Sequence, residues 1–186
     1  MSHFDSHNIL SDYQHGFRKK RPCNTQLLLT INDLAKGIYI NQQIDAILLD
    51  FSKAFAKVPQ IRLLQKLDHF GIRGTIHSWI EDFLTSRTQQ VGLEGSFSAT
   101  LPVTSGVTQG SVLGPLLFIA YINDLPSKVQ STARLFADDC LLYRTIRNPD
   151  DSRQLQQDLY SLQSWENDRW LLTLIHVKSS TSPLQY

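Results

Sequence analysis

Little in this sequence marks a compartment or a stapled scaffold. The two cysteines, Cys23 and Cys140, lie far apart without CxxC spacing. A disulfide framework and a cysteine-rich zinc site are therefore not expected, and with no secretory signal beside them both thiols are expected to be reduced. No apolar run approaches the roughly 18 residues of a membrane helix. Even VLGPLLFIAYI is broken by Gly114 and Pro115 and ends at Asn123-Asp124. There is no charge excess either: the net charge is +1, which neither supports nor excludes a nucleic-acid partner. Basic residues gather only at Arg18, Lys19, Lys20 and Arg21, which reads equally as a solvated loop or a phosphate contact. No internal repeat is present, and no coiled-coil register persists long enough to argue for a dimer. His3, His7 and His15 are irregularly spaced, without partner cysteines, so no metal site is expected in residues 1–22; that stretch reads as a poorly packed lead-in.

What remains is the composition of a folded domain. At 186 residues, 41% hydrophobic and 19% charged, the chain can bury a core as one domain or as a piece of a larger one. A helix is expected from Asn24, with Leu27, Leu28, Ile31, Leu34 and Ile38 inward and Gly37 as its stop. Residues 44–50, IDAILLD, read as a buried strand ending in Asp50. Pro59 opens a second helix ending at Gly71, and Thr75–Leu84 forms a third with Ile76, Trp79, Ile80 and Phe83 inward. Two strands then flank Glu94-Gly95-Ser96. The glycine-bearing loop SGVTQGS at 105–111 leads into an apolar helix over Val112–Leu125; it lacks the Gly-Lys-Ser/Thr ending of a Walker loop. Asp150 or Asp151 is expected to cap a long helix carrying Leu155, Leu159, Leu162 and Trp165, and Trp170–Ile175 reads as a last strand. This order implies an α/β (α+β) fold, a sandwich of helices on a largely antiparallel sheet.

The chemistry gathers at carboxylates. Asp138 and Asp139 sit between the apolar runs Leu135–Ala137 and Cys140–Leu142, the pattern of a tight hairpin. Asp-Asp can be a plain exposed turn. Two adjacent carboxylates withdrawn from water would instead cost several kcal/mol each unless a cation joins them, and hard oxygen ligands suit Mg²⁺ or Mn²⁺. With Asp50 on a neighbouring strand end, three carboxylates could hold two divalent ions, the arrangement that supports phosphoryl transfer.

Several blocks, in order, carry a resemblance to the reverse transcriptase domain of non-LTR, LINE-type retrotransposons, the jockey-like elements above all. They are QHGFRKKRPCNTQLL at 14–28, LLDFSKAFAKV at 48–58, SGVTQGSVLGPLLFIAYINDL at 105–125, LFADDCLLYR at 135–144 and DLYSLQSWENDRWLLTLIHVK at 158–178. The resemblance implies a polymerase palm with part of the fingers over residues 13–178, a lead-in at 1–12, a tail at 179–186 and no thumb. It implies Asp50, Asp138 and Asp139 as ligands of two Mg²⁺ or Mn²⁺ ions, with the Phe51 carbonyl adding a ligand. Phe55 would lie under the incoming sugar and exclude a 2′-hydroxyl, Gln109 and Gly110 would touch nucleotide and template, and Lys178 would protonate departing pyrophosphate. Partners would be an RNA template, a DNA primer and deoxynucleoside triphosphates, with no membrane, at an intracellular location, the nucleus being where such elements copy themselves.

The chain departs from the family pattern at Ala56, usually aspartate, at Thr108, usually proline, and around LIHVKSS at 174–180. The upstream fingers segment with its triphosphate-binding arginine is also missing from the sequence, so weak duplex binding is expected. Two other readings stand beside the polymerase: a catalytically inactive element remnant acting at most as a nucleic-acid-binding module, and a metal-dependent nuclease or phosphotransferase built on the same carboxylates.

Overall fold

The computed structural model describes residues 2–167 and 172–175. These divide into two compact units, Met1–Ser52 with Ile122–Tyr186, and Lys53–Tyr121. The first is built on a four-stranded sheet of order β6-β7-β1-β8, from strands Thr132–Phe136, Asp139–Ile146, Gln43–Phe51 and Leu172–Ile175, every neighbouring pair antiparallel. The mixed helix and antiparallel-sheet architecture expected from the sequence is the one observed.

Alternation gives the sheet two distinct faces. Ile47, Leu49 and Phe51 of β1, with Cys140 and Leu142 of β7, are buried on one of them. Helix α6 (Pro149–Asn167) covers that face, its Trp165 ring meeting Phe51 edge-on at a centroid distance of 6.4 Å. The opposite face carries Ile44, Leu48 and Asp50. Helix α2 (Cys23–Tyr39) covers its Ile44 end, six residues or about 20 Å along the strand from Asp50. Near the Asp50 end Leu48 is 44% exposed.

Helix α2 does not dock through the expected stripe. Leu27, Leu28, Ile31 and Ile38 are exposed, and its buried residues are Gln26 and Gly37. Gly37 is no stop, since the helix runs on to Tyr39; a Cβ there would lie 2.3 Å from Ile44 Cδ1, so glycine permits the close approach. Polar bonds hold the rest. The Asp33 carboxylate accepts from Tyr143 Oη at 2.5 Å and Arg134 Nη2 at 2.8 Å. Periodicity marks an apolar face but cannot tell that small and polar residues make the contact.

The amino-terminal stretch packs more closely than its polarity suggests. After the short helix α1 (Ser2–Ser6), Phe4 and Leu10 are buried, and the Asn123 side chain donates to Ile9 O and accepts from Ser11 N, both at 2.7 Å. Within the basic run, Arg18 Nη1 donates to Ser11 O and Arg21 Nη1 to Asp12 O, each at 2.7 Å. Those two guanidiniums pin a loop, while Lys19 and Lys20 are exposed.

The second unit contains α3 (Gln60–His69) and α4 (Gly74–Thr85), packed on each other, then the two-residue strands β2 (Thr88–Gln89), β3 (Gly92–Leu93), β4 (Ser96–Phe97) and β5 (Leu101–Pro102), which pair as an exposed hairpin. In α4, Ile80 and Leu84 are buried, but Trp79, expected in the core, is 58% exposed and stacks on Phe83 at 5.7 Å. Helix α5 (Leu113–Ile122) is apolar all round, and Leu117–Ile122 are fully buried.

Helix α6 is capped by Asn148, not by Asp150 or Asp151: Asn148 Oδ1 accepts from Asp150 N at 2.9 Å and Asp151 N at 3.2 Å. Its Asp158, 2% exposed, accepts from Gln130 N (3.0 Å), Ser131 N (2.7 Å) and Gln154 Nε2 (3.0 Å). Burial alone would raise this carboxyl, but the bonds from Gln130, Ser131 and Gln154 outweigh it and hold it below the ordinary range. Such a group stabilises the fold above its unfolded value and loses that contribution as pH falls through its folded value. Asp158→Ala leaves the buried Ser131 amide without its acceptor and removes the acceptor of the Gln130 amide, and is expected to cost roughly 1–3 kcal/mol at neutral pH. Urea unfolding should show the loss as a lower midpoint, narrowing below about pH 3.9.

Candidate active site

Asp50 is the penultimate residue of β1, and Asp139 is the first of β7; the two are Cα partners in the antiparallel ladder. Directly opposed residues share a face, with Cβ atoms about 4.5–5.5 Å apart, so the register sets like charge against like charge. Asp138 precedes Asp139 in the connection that closes the β6–β7 hairpin, where Phe136 pairs with Asp139 and only Ala137 and Asp138 lie between. Asp50, Asp138 and Asp139 thus all lie at one end of one sheet, within one compact unit.

The hairpin turn is strained. Ala137 has φ +55°, and Asp138 is not among the positive-φ residues, the sign pattern of a type II′ turn, in which glycine is usual at the first position. An alanine there costs about 1–2 kcal/mol. Gln14, 1% exposed, lies against it: Nε2 donates to Ala137 O at 3.1 Å, and Oε1 accepts from Ala137 N at 3.0 Å and Gly16 N at 2.7 Å. The signal for this contact was present in the QHG of the first family-like block, but nothing in the sequence says what the glutamine touches.

Asp139 is exposed as a residue, yet partial withdrawal of its carboxyl from water, followed by the charges of Asp138 and Asp50, raises it above the ordinary range. All three influences act in one direction. A cation would reverse the balance, and an all-carboxylate donor set is the chemistry that Mg²⁺ or Mn²⁺ prefers. The donor set therefore fits the implied ions, although among the described residues no three His, Cys, Asp or Glu side chains already converge as a cage. The neighbouring Cys140 is buried, and burial with the Asp139 charge pushes its thiol up to about 12, so it offers no thiolate at neutral pH. Phe51 follows Asp50 in β1 with its ring in the core.

In the other unit, Phe55 is half-buried and stacks on Phe118 at 5.0 Å with an interplanar angle of 23°. The glycine loop is tied to the same segment. Val107 N donates to Phe55 O at 2.7 Å, Gly106 N to Val58 O at 2.8 Å and Ser105 Oγ to Ala56 O at 3.0 Å. Gly106 has φ +86°, and a Cβ there would stand 2.7 Å from Ala56 O, so this crossing requires glycine. Gln109 and Gly110 follow, both exposed. Ala56 is exposed in the turn after β1, which accommodates the small residue. Thr108 accepts through its carbonyl from Ser111 Oγ at 2.7 Å, but its own hydroxyl is buried without a partner. Lys178 lies outside the described residues.

A central antiparallel sheet with carboxylates at a strand end and at the adjacent hairpin turn, packed on helices, defines a palm-like polymerase fold. The family described as reverse transcriptase (RNA-dependent DNA polymerase) matches residues 1–184, and the chain belongs to it. It is 28% identical to the probable RNA-directed DNA polymerase from transposon X-element of Drosophila melanogaster over 192 aligned residues, covering 97% of this chain and 20% of that protein. It is 30% identical to the corresponding protein of transposon BS from the same organism, covering 88% of this chain and 19% of that one. With the polymerase of mobile element jockey it shares 29% identity over 69% of the chain and 14% of the relative. The chain thus spans about a fifth of the length of these curated relatives. Among solved structures, apo telomerase from Candida tropicalis truncated from its C-terminal domain superposes with a TM-score of 0.58 at 14% identity, over 90% of this chain and 37% of that one, which supports the fold. Among the described residues no helix is long and apolar enough to cross a membrane.

Two substitutions test this geometry. Because the Asp139 carboxyl is raised, its charge opposes folding once the pH exceeds its folded value, and the opposition vanishes below about pH 3.9, where both states are protonated. Asp139→Asn is expected to melt higher than the parent at pH 7 in metal-free buffer and to lose that advantage in acid. Thr108→Val removes a buried hydroxyl without a partner and is expected to gain about 1 kcal/mol, read as a higher urea midpoint at unchanged slope.

Proposed function

We propose that this chain is the palm-bearing part of an RNA-directed DNA polymerase domain that extends a DNA primer on an RNA template. The observation that carries the reading is the in-register opposition of Asp50 and Asp139, with Asp138 in the adjoining β6–β7 turn, inside a chain of the reverse transcriptase family. Asp50 and Asp138 would hold the two Mg²⁺ or Mn²⁺ ions jointly, with Asp139 beside them and the Phe51 carbonyl as a further oxygen donor. When bound, such ions lower the pKa of the primer 3′-hydroxyl and neutralise charge on the leaving pyrophosphate. The carboxylates supply fixed negative charge that selects hard cations and orients them.

Phe55, backed by Phe118, presents a flat apolar surface suited to excluding a ribose 2′-hydroxyl. Gln109 and Gly110, exposed at the end of a loop hydrogen-bonded to the Phe55 segment, suit contact with the incoming nucleotide and the template base. Lys178 is the proposed proton donor to pyrophosphate. The partners are an RNA template, a DNA primer and deoxynucleoside triphosphates, and the reading places the work in the nucleus. The inactive-remnant reading is favoured by one observation, the orphaned Thr108 hydroxyl in the nucleotide loop, a local departure from good packing.

Primer extension on a poly-ribonucleotide template separates the two. The chain is assayed with Mg²⁺ or Mn²⁺ beside an Asp138→Ala, Asp139→Ala variant. Incorporation that falls to background in the variant is the expected outcome; equal background signals from both folded proteins would assign the chain to the remnant.

A further inference from the structure

We propose that Gln14 is the positioning residue of the Asp138-Asp139 turn: its carboxamide holds the Ala137 peptide in the positive-φ geometry from which both carboxylates project. The inference deepens the polymerase reading and rests on it for the purpose of the turn, though not for the clamp itself.

Three observations converge. The first is a need. In a two-residue hairpin loop the first central residue has an N–H and a C=O that the ladder does not pair, and buried backbone groups left unpaired are rare. Ala137 is buried, and the Gln14 side chain satisfies both groups at 3.0 and 3.1 Å. The second is strain. Ala137 has φ +55° without being glycine, so the turn does not hold this shape by intrinsic preference. The third is the placement of the clamp. Leu135 N donates to Tyr13 O at 2.9 Å and His15 N to Leu135 O at 3.0 Å, so residues 13–15 run as a parallel bridge along β6. Gly16 then passes so close that a Cβ would stand 2.1 Å from Ala137 N. Gln14 Oε1 also takes the Gly16 amide, so one carboxamide closes both sides of the crossing.

A glutamine that only filled space would be replaceable by an apolar residue of similar length. This one makes three bonds to the backbone of two residues, and one of those, Ala137, precedes Asp138. Loss of the clamp frees Ala137 to relax toward negative φ, which turns the following peptide and moves Asp138 relative to the ladder-held Asp139 and Asp50. The site would then lose the spacing that two shared cations require, while the sheet beneath it stays.

The test compares the parent with Gln14→Met, which keeps the volume and removes the bonds, and with Gln14→Met combined with Ala137→Gly, in which glycine adopts positive φ without cost. Two readouts are taken on folded protein: exchange of the Ala137 amide by NMR, and Mn²⁺ affinity by titration. Gln14→Met is expected to lose protection at Ala137 and to weaken Mn²⁺ binding by about tenfold or more, the scale of lost supporting contacts at a metal site. The added Ala137→Gly change is expected to recover most of that affinity. Parental amide protection in Gln14→Met, or an affinity the glycine does not recover, would overturn the proposal. Should Gln14→Met fail to fold, recovery of folding by Ala137→Gly supports the clamp, and a double variant that stays unfolded assigns Gln14 to the core and overturns it. If the parent itself binds no Mn²⁺, the polymerase reading fails, and the amide exchange still decides whether Gln14 holds the turn.

Discussion

Two carboxylates face each other across adjacent strands, and the register of β1 against β7 puts them there. A slip of one residue would move Asp139 to the other face of the sheet and bring Cys140 opposite Asp50. That slip is blocked from the apolar side, because Leu49 and Cys140 are paired and both buried, as are Ile47 and Leu142. Fully burying each leucine or isoleucine is worth about 1.5–3 kcal/mol, and a slipped register would expose all of them together. The hydrophobic face thus pays for an electrostatic arrangement on the other.

Order at the strand end comes from elements that never touch a carboxylate. Helix α6 sets the buried face through Phe51 and Trp165, and its Asp158 ties down Gln130 and Ser131 just before β6 begins. Helix α2 holds the far end of the open face through Gly37 on Ile44 and through the Asp33–Arg134–Tyr143 network. Because α2 docks at the Ile44 end, the Asp50 end keeps a face that a helix at that position does not cover. Support thus comes at the Ile44 end, while near the Asp50 end Leu48 of the same face is 44% exposed.

Elements with strong local signals were legible in the sequence. IDAILLD, with its short apolar run, reads as a strand, although Leu48 within it is exposed rather than buried, and the paired aspartates between short apolar runs mark a hairpin. Both stand where expected, as do the helix opened by Pro59 and the hairpin at Glu94-Gly95. Misreadings occurred where the partner decides. Trp79 has helical spacing yet is exposed, and the leucines of α2 carry a clean stripe that this structure leaves on the surface. Asn148, not the following aspartates, caps α6, because any Asx residue fits and only backbone geometry chooses among neighbours. The carboxylates could be named from the sequence by type and by resemblance. Gln14 could not, since a glutamine in a polar amino-terminal stretch has no signal of burial, and its partner lies more than a hundred residues along the chain.

The turn carrying Phe55 and the loop leading to Gln109 are one piece. Within Lys53–Tyr121, Phe55 O and Val58 O receive the amides of Val107 and Gly106, and Ser105 Oγ caps Ala56 O, so the turn carrying Phe55 and the loop leading to Gln109 share a hydrogen-bonded seam. Gly106 allows that seam, since any side chain would meet the Ala56 carbonyl; Gly114, whose Cβ would stand 2.3 Å from Thr108 O, allows the turn into α5. Thr108 sits between these two glycines. Its carbonyl is anchored through Ser111, but its buried hydroxyl has no partner. Proline, usual in the family there, carries no hydroxyl to bury, so the departure costs packing in the loop without touching a carboxylate. Ala56 differs in kind: exposed, with its carbonyl accepting from Ser105 Oγ, its small side chain removes nothing that the seam uses. The residue at 108 therefore leaves a buried hydroxyl unpaired in the loop while the one at 56 disturbs none of its hydrogen bonds, a distinction that distance from the aspartates in sequence would not reveal.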